Sequence, residues 1–189
     1  MFSEARAPSG SVVLTGGHSL YTSGKNHDAT GVGILIHARH SGKKVAVNIS
    51  DRAMYVDVEL HGKACRAIAA YLPHAGYPAM FADAVYEQLA LCCRTTGICI
   101  VGGGFQTELQ EPVRGVVLIG FAARAKLKFC NSSGEWPFRS NMGRLRLIDY
   151  LLIGSRLTCL ESDSTDDLHL GSDHRAVFAK VAFNVGRKY

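Results

Sequence analysis

A chain of 189 residues, 47% hydrophobic and 20% charged, can bury the core of one domain, and its composition excludes both a disordered and a fibrous protein. Its formal net charge of +5 favours polyanionic partners and speaks to association, not to fold. No apolar run is long enough to span a bilayer, and the opening "MFSEARAPSG" lacks a secretory pattern, so the expectation is an intracellular protein, nuclear or cytoplasmic, and not a secreted one.

Strands are predicted first at "GVGILIH" (31–37), "KKVAVNI" (43–49), "AMYVDVELHG" (53–62) and "CRAIAAYLP" (65–73). In the third, Met54, Val56, Val58 and Leu60 alternate with Tyr55, Asp57, Glu59 and His61, the period of a half-buried strand. Residues 65–72 and 98–102 are apolar almost throughout, as in strands buried on both faces. Between them, "PAMFADAVYEQLALCCR" (78–94) reads as a helix. Phe81, Val85, Leu89 and Cys92 share one face, and Pro78 stands at the first helical position. A second helix is predicted over 115–127, a loop over 130–144, and further strands at "RLIDYLLIG" (146–154) and "RAVFAKVAF" (175–183). Many strands with two separated helices predict a layered α/β sandwich and not a doubly wound sheet. Six cysteines (65, 92, 93, 99, 130 and 159) carry no CxxC spacing and read as free thiols, not a disulfide framework.

Three stretches carry the chemistry. The run "ICIVGGGFQTEL" (98–109) ends a buried strand in three glycines. It lacks the lysine and hydroxyl of a phosphate-binding P-loop and the further glycine of a dinucleotide fingerprint, which leaves a plain turn or a catalytic loop. In "LHLGSDHRAVFAKV" (168–181), Asp173 and His174 stand side by side before a predicted buried strand. Consecutive extended residues point to different sides, so one can hold a metal while the other meets a substrate; a surface turn is the plainer reading. "RLRLIDYLLIG" places Asp149 in an apolar strand, where a carboxylate needs a partner. A histidine is a natural one, because the carboxylate orients the ring and favours its charged form.

"IDYLLI" followed by "GSDHRAV" resembles the C-terminal half of the endonuclease/exonuclease/phosphatase superfamily, and most of all the endonuclease domains of non-long-terminal-repeat (LINE-type) retrotransposons. The resemblance runs through nearly the whole chain. "GVGILI" is similar to the family's "GVG-hydrophobic" strand, "AAYLPH" to its "YAPH" motif, and "WPFRSNMGRLRLIDY" to its "WTF…RRIDY" region. "SEARAP" resembles the segment around the metal-binding glutamate, and "VGGGFQTEL" sits where the family writes "GGDFN". Gly104 then occupies the place of an aspartate and Gln106 that of an asparagine: a catalytic loop without its acid.

The resemblance implies a four-layer α/β sandwich of the DNase I-like type, one domain over residues 1–189, and hydrolysis of DNA phosphodiesters with Mg²⁺ or Mn²⁺. By the same resemblance Glu4 and Asp173 supply metal-site carboxylates, in keeping with the one or two that Mg²⁺ takes. Metal and His174 stabilise charge on the phosphate, Asp149 holds the imidazole, and Tyr71 touches the phosphate through its hydroxyl. Asn141, Arg144 and Trp136 lie in the stretch that meets DNA. The implied partner is DNA, with no membrane, for a monomer drawn from a longer reverse-transcriptase polyprotein. Two departures predict impaired turnover and weakened metal binding: the degenerate positions Gly104 and Gln106, and the absence of the family strand that should precede Glu4 and bring an asparagine. The alternatives are a non-catalytic nucleic-acid-binding remnant, a phosphatase or exonuclease of the same superfamily, and a chain that folds poorly.

Overall fold

The alternation read over residues 53–62 is present in the computed structural model, which describes residues 1–25, 30–40, 42–95, 97–131, 138–140, 143–165 and 173–184. Met54, Val56 and Val58 are buried, whereas Tyr55, Asp57 and Glu59 face outward to varying degrees. The chain divides into two compact units, Met1–Gln106 and Thr107–Tyr189.

In the first unit, β1 (Phe2–Ala5), β2 (Gly10–Val13), β3 (Ser19–Ser23) and β4 (Gly31–Ile36) form an antiparallel sheet in the order β1-β4-β3-β2. The glycines of "GVG" explain how β1 reaches β4. A Cβ on Gly31 would fall 2.3 Å from the Ala5 carbonyl oxygen, and one on Gly33 would fall 2.0 Å from the Phe2 ring. Phe2 therefore covers the bare backbone at Gly33, its cross-strand partner. β1 ends its sheet and carries a register shift; a short, bulged edge strand is a poor template for further pairing.

β5 (Lys44–Ser50), β6 (Ala53–Leu60), β7 (Lys63–Tyr71) and β8 (Ile98–Gly104) follow one another in a second sheet. β5, β6 and β7 form an antiparallel meander, and β8 is parallel to β7. A parallel neighbour requires a crossover, and this one carries α1 (Ala79–Cys92). β4 packs against β6 and β7, and β3 against β5 and β6, burying Val32, Ile34, Met54, Val56, Ile68 and Val101. α1 lies on β6. The cross-strand pair Asp57 and Arg66 is joined through two contacts of 2.7 Å, while Arg66 Nη1 donates to the Cys92 carbonyl at 3.0 Å. A cation thus meets the negative end of the helix.

α1 departs from its predicted face. Ala82, Val85, Tyr86, Leu89 and Cys93 are buried, whereas Phe81 is 54% exposed. The true stripe is rotated by one residue, and Pro78 is the N-cap, not the first helical residue. Sequence periodicity admits either stripe when apolar residues occur all round the helix.

The second unit holds α2 (Arg114–Arg124), β9 (Leu127–Phe129), β10 (Phe138–Arg139), β11 (Leu145–Arg146), β12 (Asp149–Gly154), β13 (Leu157–Thr165) and β14 (Ala176–Phe183). β9 pairs antiparallel with β12, β10 with β11, and β13 with β14. α2 packs on β9, and β12 contacts both β13 and β14. The predicted loop over 130–144 contains β10, and the predicted strand 146–154 is broken at Leu147 and Ile148, so that Asp149 opens β12 instead of lying inside it. β14 is half-buried, with Phe178 and Lys180 exposed, and among the described residues it pairs with β13 alone, which corrects the expectation of a buried strand after His174.

Among the described residues no helix is long and apolar enough to cross a membrane. All six cysteines are free. Burial pushes the Cys65 thiol up to about 12, and burial with a hydrogen bond that the Cys130 S–H makes to Cys159 does the same for Cys130. Both stay protonated at neutral pH and poorly nucleophilic.

Candidate functional site

Predicted site residues fall in both units. In the first, β7 and β8 run in parallel and end together: Tyr71 is the register partner of Gly104, and the Leu72 N–H donates to the Gly104 carbonyl at 2.8 Å. Tyr71 donates its hydroxyl to Oε1 of Glu4 at 2.8 Å, so the structure brings together two residues 67 positions apart in sequence. Glu4 owes its placement to the irregularity in β1, where three residue steps from Phe2 to Ala5 span only two steps on β4. Bulges re-aim a side chain in this way. Glu4 has a φ of 58° and is exposed.

Sequence reasoning missed three residues around Tyr71. The Arg52 guanidinium carbon lies 5.3 Å from the Tyr71 ring centroid and 5.3 Å from that of Tyr77, whose ring in turn meets His74 at 4.8 Å. The Tyr71 N–H is fixed by the Arg52 carbonyl at 2.8 Å. "YLPH" already contained His74, whereas nothing in "SDRA" distinguished Arg52 from an ordinary turn residue.

The three glycines are not equivalent. Gly103 has a φ of 145°, and a Cβ there would fall 1.9 Å from the Ala70 carbonyl oxygen. Gly104 has no positive φ and sits in regular strand; nothing in its backbone conformation requires glycine. Phe105 is buried and anchors the loop. Gln106 follows with a φ of 58°. The left-handed conformation costs an ordinary residue about 1–2 kcal/mol, and asparagine adopts it readily. Gln106→Asn is therefore expected to raise stability by up to about 1 kcal/mol, measured as a higher urea midpoint at unchanged slope. A lowered midpoint would show that the glutamine side chain holds the loop. Among the four described non-glycine residues at positive φ, two are Glu4 and Gln106; such strain collects at functional positions.

In the second unit, Nδ1 of His174 lies 2.7 Å from Oδ2 of Asp149, with side chains only 20% and 14% exposed. A carboxylate can only accept, so Nδ1 carries the proton and the ring orientation is fixed. Asp173 is exposed; its carbonyl accepts from the Arg139 N–H at 3.1 Å while His174 forms a bridge with Phe138 and packs against that ring at 4.7 Å. The two neighbours thus face different surroundings, as their extended spacing predicts.

Asn131, which no sequence signal marked, holds the start of β12. It donates Nδ2–H to the Asp149 carbonyl and accepts from the Leu151 N–H, both at 2.8 Å. It is buried and acts as a strand partner for the backbone of Asp149. Asn131→Ala leaves two inward-facing backbone groups without it, and the expected loss is about 2 kcal/mol, read as a lower thermal midpoint. A loss within about 0.5 kcal/mol, the scale of an ordinary surface change, would remove it from the support of Asp149.

Arg144, just before β11, is 73% exposed and lies 3.7 Å from Glu108. Arg146, also missed, meets Glu108 at 3.2 Å and Glu111 at 2.5 Å, and Glu111 accepts from the buried Thr107 hydroxyl at 3.0 Å. This network ties β11 to the segment that leads into α2. Trp136 and Asn141 lie outside the described residues.

No family model and no curated protein matches the chain. Solved structures do. An endonuclease/exonuclease/phosphatase family protein from Leptotrichia buccalis C-1013-b is 14% identical and matches with a TM-score of 0.66 over 90% of this chain and 74% of its own. The endonuclease domain of TRAS1, a telomere-specific non-LTR retrotransposon, is 15% identical, with a TM-score of 0.70 over 89% of this chain and 80% of its own. The 3′ phosphatase NExo from Neisseria, bound to a product DNA hairpin, is 14% identical, with a TM-score of 0.70 over 88% and 80%. The chain thus has the fold of the endonuclease/exonuclease/phosphatase proteins, with mixed sheets and few helices.

Proposed function

We propose that the chain is a divalent-metal-dependent phosphodiesterase by descent, of the LINE-type endonuclease kind, that acts on DNA and turns over slowly. The observation that carries this reading is the retention of two ordered pairs, Glu4 with Tyr71 in the first unit and Asp149 with His174 in the second, in a chain that has Gly104 at the acid position of its glycine loop. Structural likeness to the TRAS1 domain supports the retrotransposon assignment.

Each side chain has a definable task. His174, oriented by Asp149, presents an imidazole whose charged form stabilises negative charge on a phosphate oxygen. Tyr71 can offer its hydroxyl proton to the same kind of oxygen, and its present acceptor, Glu4, keeps that hydroxyl oriented. Arg52 adds a cation beside it. Glu4 and Asp173 would hold the cation: both are exposed carboxylates, hard donors suited to Mg²⁺ or Mn²⁺. Among the described residues no group of three or more His, Cys, Asp or Glu is assembled. When bound, such an ion supplies charge neutralisation at the phosphate. What the chain lacks is a carboxylate at position 104 to orient and deprotonate the attacking water.

The test is a pair of measurements on the full chain. Duplex binding in EDTA is expected to weaken steeply with salt, and a supercoiled plasmid is expected to be nicked slowly in Mg²⁺ and not in EDTA. Salt-sensitive binding with no nicking at any enzyme concentration would favour the non-catalytic nucleic-acid-binding reading. Release of phosphate from a 3′-phosphoryl end without internal nicking would favour a phosphatase. The absence of both binding and cleavage would contradict the proposal.

A further inference from the structure

Four of the eight histidines in the chain gather on the first unit away from Tyr71. The His18 and His37 rings lie 4.6 Å apart and nearly perpendicular, and those of His40 and His61 lie 6.0 Å apart. Arg39 links the two pairs: its backbone N–H donates to Nδ1 of His37, and its Nε–H donates to Nε2 of His40, each at 3.1 Å. Both acceptor nitrogens must be unprotonated for these bonds to form. His61 occupies the two-residue β6–β7 turn with Gly62, and both have positive φ (52° and 72°), the backbone of a type I′ hairpin. β7 then runs nine residues from Lys63 to Tyr71, which separates the cluster from Tyr71 by about 26 Å.

The surroundings are cationic. Exposed Arg39 and half-buried Lys44 act on the His40 ring, and exposed Lys63 closes the turn that carries His61. On β6, Asp57 is engaged by Arg66, and Glu59, beside Gly42, makes no ion pair among the described residues. Partial burial, then Arg39, His61, His37 and Lys44, hold the His40 imidazole below its usual range. At neutral pH the surface therefore carries fixed cations alongside the His40 imidazole, which resists protonation.

We infer that this end of the first unit is a proton-gated contact for the phosphate backbone of a nucleic acid, separate from the proposed site and standing whether or not the chain cleaves. Guanidinium and imidazolium groups are planar donors that suit phosphate oxygens. A duplex places about one charge per 1.7 Å of axis, dense enough to meet several of these groups together. Exposed Val13 and Leu14 adjoin His18, so a lipid surface is the rival occupant that a vesicle comparison must separate from nucleic acid. Bound phosphates offset repulsion from Arg39 and Lys44, so the complex takes up protons. Affinity must then rise as pH falls through the imidazole range, and level off once the free protein is itself protonated.

The experiment is binding of a short labelled duplex to the full chain in EDTA, at constant salt, between about pH 8 and about pH 6. His40→Gln with His61→Asn serves as the comparison: glutamine keeps an acceptor for Arg39, and asparagine tolerates the left-handed turn. The parent chain is expected to tighten about 10-fold or more, and the double variant about 2-fold. In parallel, the NMR titration midpoints of the His40 and His61 rings should move upward when duplex is added. An unchanged pH dependence in the folded double variant, or ring midpoints that duplex does not move, would overturn the inference. Tighter binding at about pH 6 to anionic phosphatidylserine vesicles than to duplex would overturn it in favour of a lipid surface.

Discussion

Replacing Gly104 by Asp and Gln106 by Asn together is expected to raise the rate of Mg²⁺-dependent plasmid nicking by about 10²- to 10⁴-fold, the usual contribution of a positioned general base. The φ of Gly104 does not oppose the change. Gly104 lies in β8 without a positive φ, next to Tyr71 in register, so an aspartate there extends from the end of a rigid strand on the same row as the tyrosine. Gln106 already adopts the left-handed conformation that asparagine favours, and the shorter side chain removes one methylene from an amide held at fixed backbone geometry. The aspartate supplies the proton acceptor, and the asparagine adjusts reach. Gly104→Asp alone should therefore deliver most of the gain, with Gln106→Asn alone changing stability more than rate.

Gly103→Ala carries the opposite expectation. Its Cβ would meet the Ala70 carbonyl oxygen at 1.9 Å, and its φ of 145° lies where L side chains are strained. The obstacle is backbone in the neighbouring parallel strand, which cannot rotate aside as a flexible side chain could. Strain and overpacking together should cost about 3–5 kcal/mol, enough to unfold a chain of ordinary stability or to separate β7 from β8. A thermal melt displaced by less than the equivalent of about 1 kcal/mol would show that the strands can part without loss, and would weaken the distinction between Gly103 as a structural glycine and Gly104 as a lost acid.

How much of this was legible in the sequence depended on the kind of signal. β4 to β8 were readable because alternation or continuous apolar runs leave a period, and α2 emerged near its predicted range. β1, β2, β3, β9, β10 and β13 were missed. Val12 and Val13 on β2 are exposed, so the strand has no buried face to announce it, and β9 has only three residues. The Asp149–His174 pair was legible because a carboxylate amid apolar residues demands a partner. Glu4 with Tyr71 rested on resemblance alone; the bulge and left-handed φ that aim Glu4 leave no trace in composition. Asn131, Arg52 and Arg146 were invisible because their roles arise from partners distant in sequence. The distinction between Gly103 and Gly104 also lay beyond the sequence: Gly103 has a positive φ and no room for a Cβ, whereas the φ of Gly104 does not demand glycine.

The central claim is that a catalytic framework persists around a missing aspartate. The most direct measurement is supercoiled-plasmid nicking in Mg²⁺ by four chains side by side: the parent, Gly104→Asp with Gln106→Asn, that pair with His174→Ala, and the parent with His174→Ala. The account predicts rapid nicking by the second chain alone, with loss of the gain when His174 is removed. A parent chain that nicks as fast as the doubly substituted one, or a doubly substituted chain indifferent to His174, would contradict it.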